Sequence, residues 1–147
     1  MKNLRGWLQQ WGVLVAFIVL FLASAITQPG VFLQPENLKN LVNQNVDVGI
    51  LAIGMTLVII SGGIDLSVGS LMALSAAASV TVLNQNMARG EAQASLIAAV
   101  VALGSGALLG AVNGFLVAFG RVAPFVATLV GMVAFRSLCL AMAEGGE

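Results

Sequence analysis

The sequence contains no histidine and a single cysteine, Cys139. A zinc or other soft-metal site therefore has almost no ligands to draw on, and no metal site is expected. The same shortage removes Ser-His-Asp and Cys-His catalysis. One cysteine cannot close an internal disulfide, and a lone thiol in an apolar run reads as a small buried group. Charge is also scarce. Six basic and six acidic residues make up 8% of the 147 residues, against about 25% in ordinary soluble domains. No basic stripe exists for a phosphate backbone, so nucleic acid is not an expected partner. The only lysines are Lys2 and Lys39, and no Gly-x-x-x-x-Gly-Lys-Ser/Thr loop is present. ATP is not handled by such a loop here. No catalytic residue and no cofactor emerge from the sequence.

What is present is apolar residue in long runs. Hydrophobic residues make up 59% of the chain, and the mean hydropathy is +1.02. Water solvates such a surface badly and lipid solvates it well. A span needs about 20 apolar residues, so the length suits roughly five spans. The expected fold is all-α: a polytopic transmembrane helix bundle in contact with membrane lipid, forming one transmembrane domain over residues 1–147.

The expected spans are 11–27, 46–61, 66–83, 92–119 and 124–143. The first follows Lys2 and Arg5. Its basic start and Ala23-Ser24-Ala25 also fit a cleaved signal peptide, but the membrane-like sequence downstream favours an uncleaved span. Pro29-Gly30 and Pro35 mark turns. Leu38, Leu41, Val42 and Val46 form a helical stripe, which predicts a short interfacial helix before the second span. That second run, Val46 to Ser61, reaches only about 24 Å unless Asn43 to Asn45 extend it. Asp47 then reads as an interfacial acid near a helix start. Lys2 and Arg5 place the N-terminus in the cytoplasm under the positive-inside rule; the later loops barely contribute.

Two rows of small residues predict close helix packing. In the third span these are Gly69, Ala73, Ala77 and Thr81. In the fourth they are Ala102, Gly106, Gly110 and Gly114. Asn113, beside the second row, reads as an interhelical hydrogen-bonder or as part of a polar pathway. Arg136 lies about 18 Å along a helix from Pro124. It should snorkel to an interface if the helix ends there, cap carbonyls, or pair with an acid such as Asp65.

The segment Gly62-Gly63-Ile64-Asp65-Leu66-Ser67 interrupts the apolar pattern. Two glycines suit the left-handed backbone that ends a helix. Asp65 suits an N-cap for the next helix, and Ser67 can satisfy free amides there. A helix break at residues 62–65 follows. It fits a tight surface turn, or a break below the membrane surface facing a water-filled path. Short flanking spans favour the second, because irregular backbone at depth survives only beside protein or a cavity. The candidate pathway or gating residues are Gly62, Gly63, Asp65, Ser67, Asn113 and Arg136.

The stretch Gly54 to Ser70, reading GMTLVIISGGIDLSVGS, resembles the signature of ribose-type bacterial ABC transporter permeases. Gly110-Ala111-Val112-Asn113-Gly114 followed by Gly120-Arg121-Val122 is similar to the same family. So is Pro124 to Leu129 with Arg136 after it. The resemblance runs from about Trp11 onward, with matching order and spacing. It implies a permease subunit of a monosaccharide importer in the bacterial inner membrane. Its partners would be an ATP-binding subunit, a periplasmic sugar-binding protein and a second permease subunit. Permeases for branched-chain amino acids or nucleosides are related alternatives. Such permeases are about twice as long, so the chain reads as an N-terminal part, and a non-transporting fragment is a further alternative.

Overall fold

The structure is a computed structural model that describes residues 2–143. The C-terminal glutamates and glycines lie outside it. The described residues form helices without strands: α1 (Lys2–Thr27), α2 (Pro29–Phe32), α3 (Pro35–Ile60), α4 (Val68–Asn86), α5 (Glu91–Ala118) and α6 (Pro124–Met142), with a 3-10 turn at Met87–Arg89. Five of these are long and apolar enough to cross a membrane: α1, α3, α4, α5 and α6. Together with the family assigned below, they make this a multi-pass membrane protein. The chain divides into two compact units, Met1–Ile50 and Leu51–Glu147.

In the first unit, Pro29 opens the one-turn α2, where its missing N–H costs nothing. The Phe21 and Phe32 rings meet edge to face at 5.2 Å. Asn37 Nδ2 donates to the Phe32 carbonyl at 2.9 Å, fastening the start of α3 to α2.

Helix α3 departs from expectation. Residues 36–46 are not a separate interfacial helix; they are the first part of one 26-residue helix. At 1.5 Å per residue it is about 39 Å long. Nothing between Pro35 and Gly49 breaks a helix, and Asn45 Nδ2 folds back onto the Leu41 carbonyl at 2.8 Å. That bond satisfies the amide on the helix itself, so polarity does not end it. Asp47 therefore stands twelve residues inside α3, exposed, and not near its start.

In the second unit α4 packs on both α5 and α6. The buried apolar residues are Leu74, Ala94, Ala98, Ala127 and Phe135; three of the five are alanine, which lets helices approach closely. Ser79 Oγ donates to the Ala98 carbonyl at 2.9 Å across the α4–α5 contact. The large apolar side chains point outward instead: Leu103 and Phe119 are each 76% exposed. In water each would forgo about 1.5–3 kcal/mol of burial; in lipid it does not.

Among the described residues the small-residue rows are packed only in part. The face of α4 that packs carries Leu71, Leu74 and Ser75, while Gly69 and Ala73 are exposed and Ala77 is half-buried. Of the α5 glycines, Gly106 sits against Ser75 and Leu71, where an added methyl would make ordinary contact. Gly69, Gly110 and Gly114 face open space, with nothing within 4 Å of an added Cβ. Close contact at these three positions does not occur within the chain.

Candidate functional site

Helix α3 ends in two nested bonds. Gly62 N–H donates to the Ile59 carbonyl at 2.9 Å, and Gly63 N–H to the Val58 carbonyl at 3.0 Å. Gly62 takes φ +80°. This is the Schellman arrangement, which needs a left-handed residue after the last helical turn. Any residue with a Cβ is strained there. The glycine pair predicted from sequence performs this termination. The length argument used to place the break at depth fails, because α3 is long.

The chain then runs irregularly to Ser67, and α4 begins at Val68. Asp65 is not the N-cap. It lies two residues before Ser67, and its Oδ1 accepts from Ser67 N–H at 2.8 Å and from Ser67 Oγ at 2.7 Å. The carboxylate closes a local turn that presents Ser67 at the helix start. Ser67 Oγ makes no capping bond to the helix. Its carbonyl accepts the first helical bond, from Leu71 N–H at 2.8 Å, and a second from Ser70 Oγ at 2.9 Å.

Ser67 is fully buried. Its hydroxyl donates to Asp65 and accepts from Asn113 Nδ2 at 2.8 Å. One donor and one acceptor are thereby used in a consistent direction, carrying a hydrogen-bond chain from α5 to the break. Asn113, 6% exposed, is thus the interhelical hydrogen-bonder that the sequence allowed. Two contributors were not legible beforehand. Thr128, buried on α6, places Oγ1 2.8 Å from the Pro124 carbonyl and 3.2 Å from the Ile64 carbonyl, bracing the break from a third side. Gly131 lies against Asn113: a Cβ there would come within 2.8 Å of Nδ2. A lone glycine and a lone threonine in an apolar run give no warning of either role.

A cavity of about 420 Å³ opens beside this network. Its polar lining includes Ser61, Gly62, Gly63, Asp65, Asn113 and Thr128, and its apolar wall includes Val58, Val117 and Pro124. Gly110 and Gly114 also line it, so the open side of the α5 glycine row faces this space. Among the described residues no cluster could hold a metal ion. The lining thus sets one carboxylate, one amide and two hydroxyls in apolar walls.

Arg136 is absent from this lining. Helix α6 continues past it to Met142, in keeping with the expected span 124–143, so the condition under which Arg136 would sit at a helix end is not met. It stands exposed on a face shared with Leu129, Val133 and Leu140. Asp65 is bonded to Ser67, and Arg136 is not among its partners. A central arginine costs about 2.5–3.5 kcal/mol on insertion scales.

The chain is 40% identical over 141 residues to the ribose import permease protein RbsC of Escherichia coli (strain K12), covering 96% of the chain and 42% of that protein. It is 38% identical over 140 residues to RbsC of Bacillus subtilis (strain 168), covering 95% and 41%. It is 38% identical over 138 residues to the xylose transport system permease protein XylH of Escherichia coli (strain K12), covering 94% and 34%. The chain therefore spans about two-fifths or less of the length of these relatives. No solved structure matches significantly. A family model described as "Branched-chain amino acid transport system / permease component" matches residues 37–147, and the chain belongs to that family.

Proposed function

We propose that the chain is part of the membrane-spanning permease subunit of a bacterial inner-membrane ABC importer whose cargo is a monosaccharide. The relatives carry the cargo reading, since their names give ribose and xylose. The cavity chemistry supports it. Transport would proceed by alternating access around the break at residues 62–65, with Gly62, Gly63, Asp65 and Asn113 on the path and the buried Ser67 holding Asp65 and Asn113 from behind. The hydroxyl–amide–carboxylate chain would hold the irregular backbone open without leaving a buried polar group unpaired, as backbone at membrane depth requires. ATP would be hydrolysed on a separate subunit, with a periplasmic binding protein delivering the sugar. The N-terminus would lie in the cytoplasm.

The single observation behind the mechanism is the buried Ser67, bonded at once to the break and to α5. The test is sugar-dependent ATPase activity of the complex assembled from the permease subunit that contains this chain, the ATP-binding subunit and the binding protein. Stimulation by ribose or another aldose supports the reading, and its absence with every sugar overturns the cargo. The family description favours a second reading, a permease for branched-chain amino acids. Stimulation by leucine in the same assay would select it.

A further inference from the structure

We propose that Gly131 is a positioning residue for the break: the space at this glycine seats the Asn113 amide on Ser67, and a side chain there drives the amide toward the cavity. The inference rests on the reading that the break and Asn113 border the transport path.

Gly131 is buried on α6, as are Ala127, Thr128 and Phe135. A Cβ built on it would lie 2.8 Å from Asn113 Nδ2, 2.9 Å from Oδ1 and 3.2 Å from Cγ. These are its three nearest atoms, and all belong to one amide. The added carbon would be nearer to the nitrogen and the oxygen than to the carbon between them. The amide therefore points end-on at Gly131 and does not lie flat across it. Non-bonded atoms settle at about 3.5–4.0 Å, so an alanine at 131 forces a shift. The short Asn113 side chain is the part that yields, since it turns about its own bonds while the helices must move as bodies. The same Nδ2 donates to Ser67 Oγ at 2.8 Å. Its displacement breaks that bond and leaves the buried Ser67 hydroxyl with Asp65 alone. The cavity that Asn113 lines is the space open to the displaced amide.

Thr128 precedes Gly131 by three residues, so the two share a face of α6. Thr128 Oγ1 lies 3.2 Å from the Ile64 carbonyl. One turn of α6 thus reaches the break twice, directly at Ile64 and indirectly through Asn113 and Ser67. A glycine needed only for helix approach would be limited by backbone or by apolar neighbours. Here the limit is a polar amide, so the need for glycine should vanish once that amide is removed.

The test is a double-mutant cycle in the permease subunit that contains this chain, assembled in proteoliposomes with the ATP-binding subunit and the binding protein. Asn113→Ala, Gly131→Ala and the pair are compared by melting midpoint and by cargo uptake per folded transporter. Gly131→Ala should lower the midpoint and cut uptake at least about threefold, which corresponds to one average interhelical hydrogen bond in a membrane. Asn113→Ala should cut uptake to the same level. In the pair, the alanine at 131 fills room that the amide has left. The pair should therefore melt no lower and transport no worse than Asn113→Ala alone. Additive losses overturn the inference, as does a lowered midpoint with normal uptake per folded transporter. If Gly131→Ala fails to fold, the pair decides: folding like Asn113→Ala supports the inference, and failing as well overturns it. The earlier reading fails separately. Uptake of leucine and no sugar by the unsubstituted transporter sinks the cargo, and the cycle is then run with leucine. Normal uptake by Asn113→Ala sinks the path, and the melting cycle, which needs no cargo, then decides the contact.

Discussion

Two regions handle polarity inside apolar helices in opposite ways. At the break, Asp65, Ser67 and Asn113 consume one another's hydrogen bonds, and Ser67 is sealed from solvent. On α3 and α6, Asp47 and Arg136 stand exposed. In the first arrangement the groups satisfy one another; in the second each charge is left without a charged neighbour on its own helix face. Polar residues closed on themselves fix a local shape, whereas those left open fix none.

That contrast can be broken by mutation. The largest effect is expected from Ser67→Leu, which forces a larger side chain into a filled site and strands Asn113. It should destabilise the second unit by about 1–3 kcal/mol, read from unfolding in mixed detergent micelles. Gly62→Ala should cost about 1–2 kcal/mol, because the left-handed backbone at φ +80° then carries a Cβ. Asn113→Ala should cost about 0.6 kcal/mol and at most about 1.7, the range for interhelical hydrogen bonds in membranes. In a Ser67→Ala background it should cost less still, and an unchanged penalty would show that the two residues act separately. Gly110→Leu should leave the unfolding curve nearly unmoved, since it faces open space, yet should block uptake by filling the cavity. A large loss of stability there would return Gly110 to a packing role.

The five apolar helices were legible because lipid demands long uninterrupted runs, and the glycine pair announced where α3 stops. The N-terminal extension of α3 was legible as a helix from Leu38, Leu41, Val42 and Val46, but Lys39, Asn40 and Asn43 off that stripe made it read as a separate interfacial one. The helix tolerates them because its amides can return to its own carbonyls, as Asn45 does. Asp65 was recognisable as a residue that starts a helix, but its distance from that start depended on how many residues the turn consumed. The glycine rows were legible as smooth faces, but spacing does not say what lies against them. Thr128 and Gly131 were invisible for a related reason. Each acts on a residue far away in sequence, Ile64 or Asn113, and only the packing of α6 brings them together.

The central claim is that the break borders an aqueous route between membrane helices. The most direct measurement is labelling of Ile64→Cys, in a Cys139→Ser background, by a hydrophilic maleimide in sealed vesicles, with Arg121→Cys in the α5–α6 turn, two spans on and so on the same side, as the surface control. Labelling should be slower than at the control and should change several-fold when the ATP-binding subunit passes from the nucleotide-free to the ATP-bound state. Labelling as fast as at residue 121 and indifferent to nucleotide would put the break in open solvent and contradict the account.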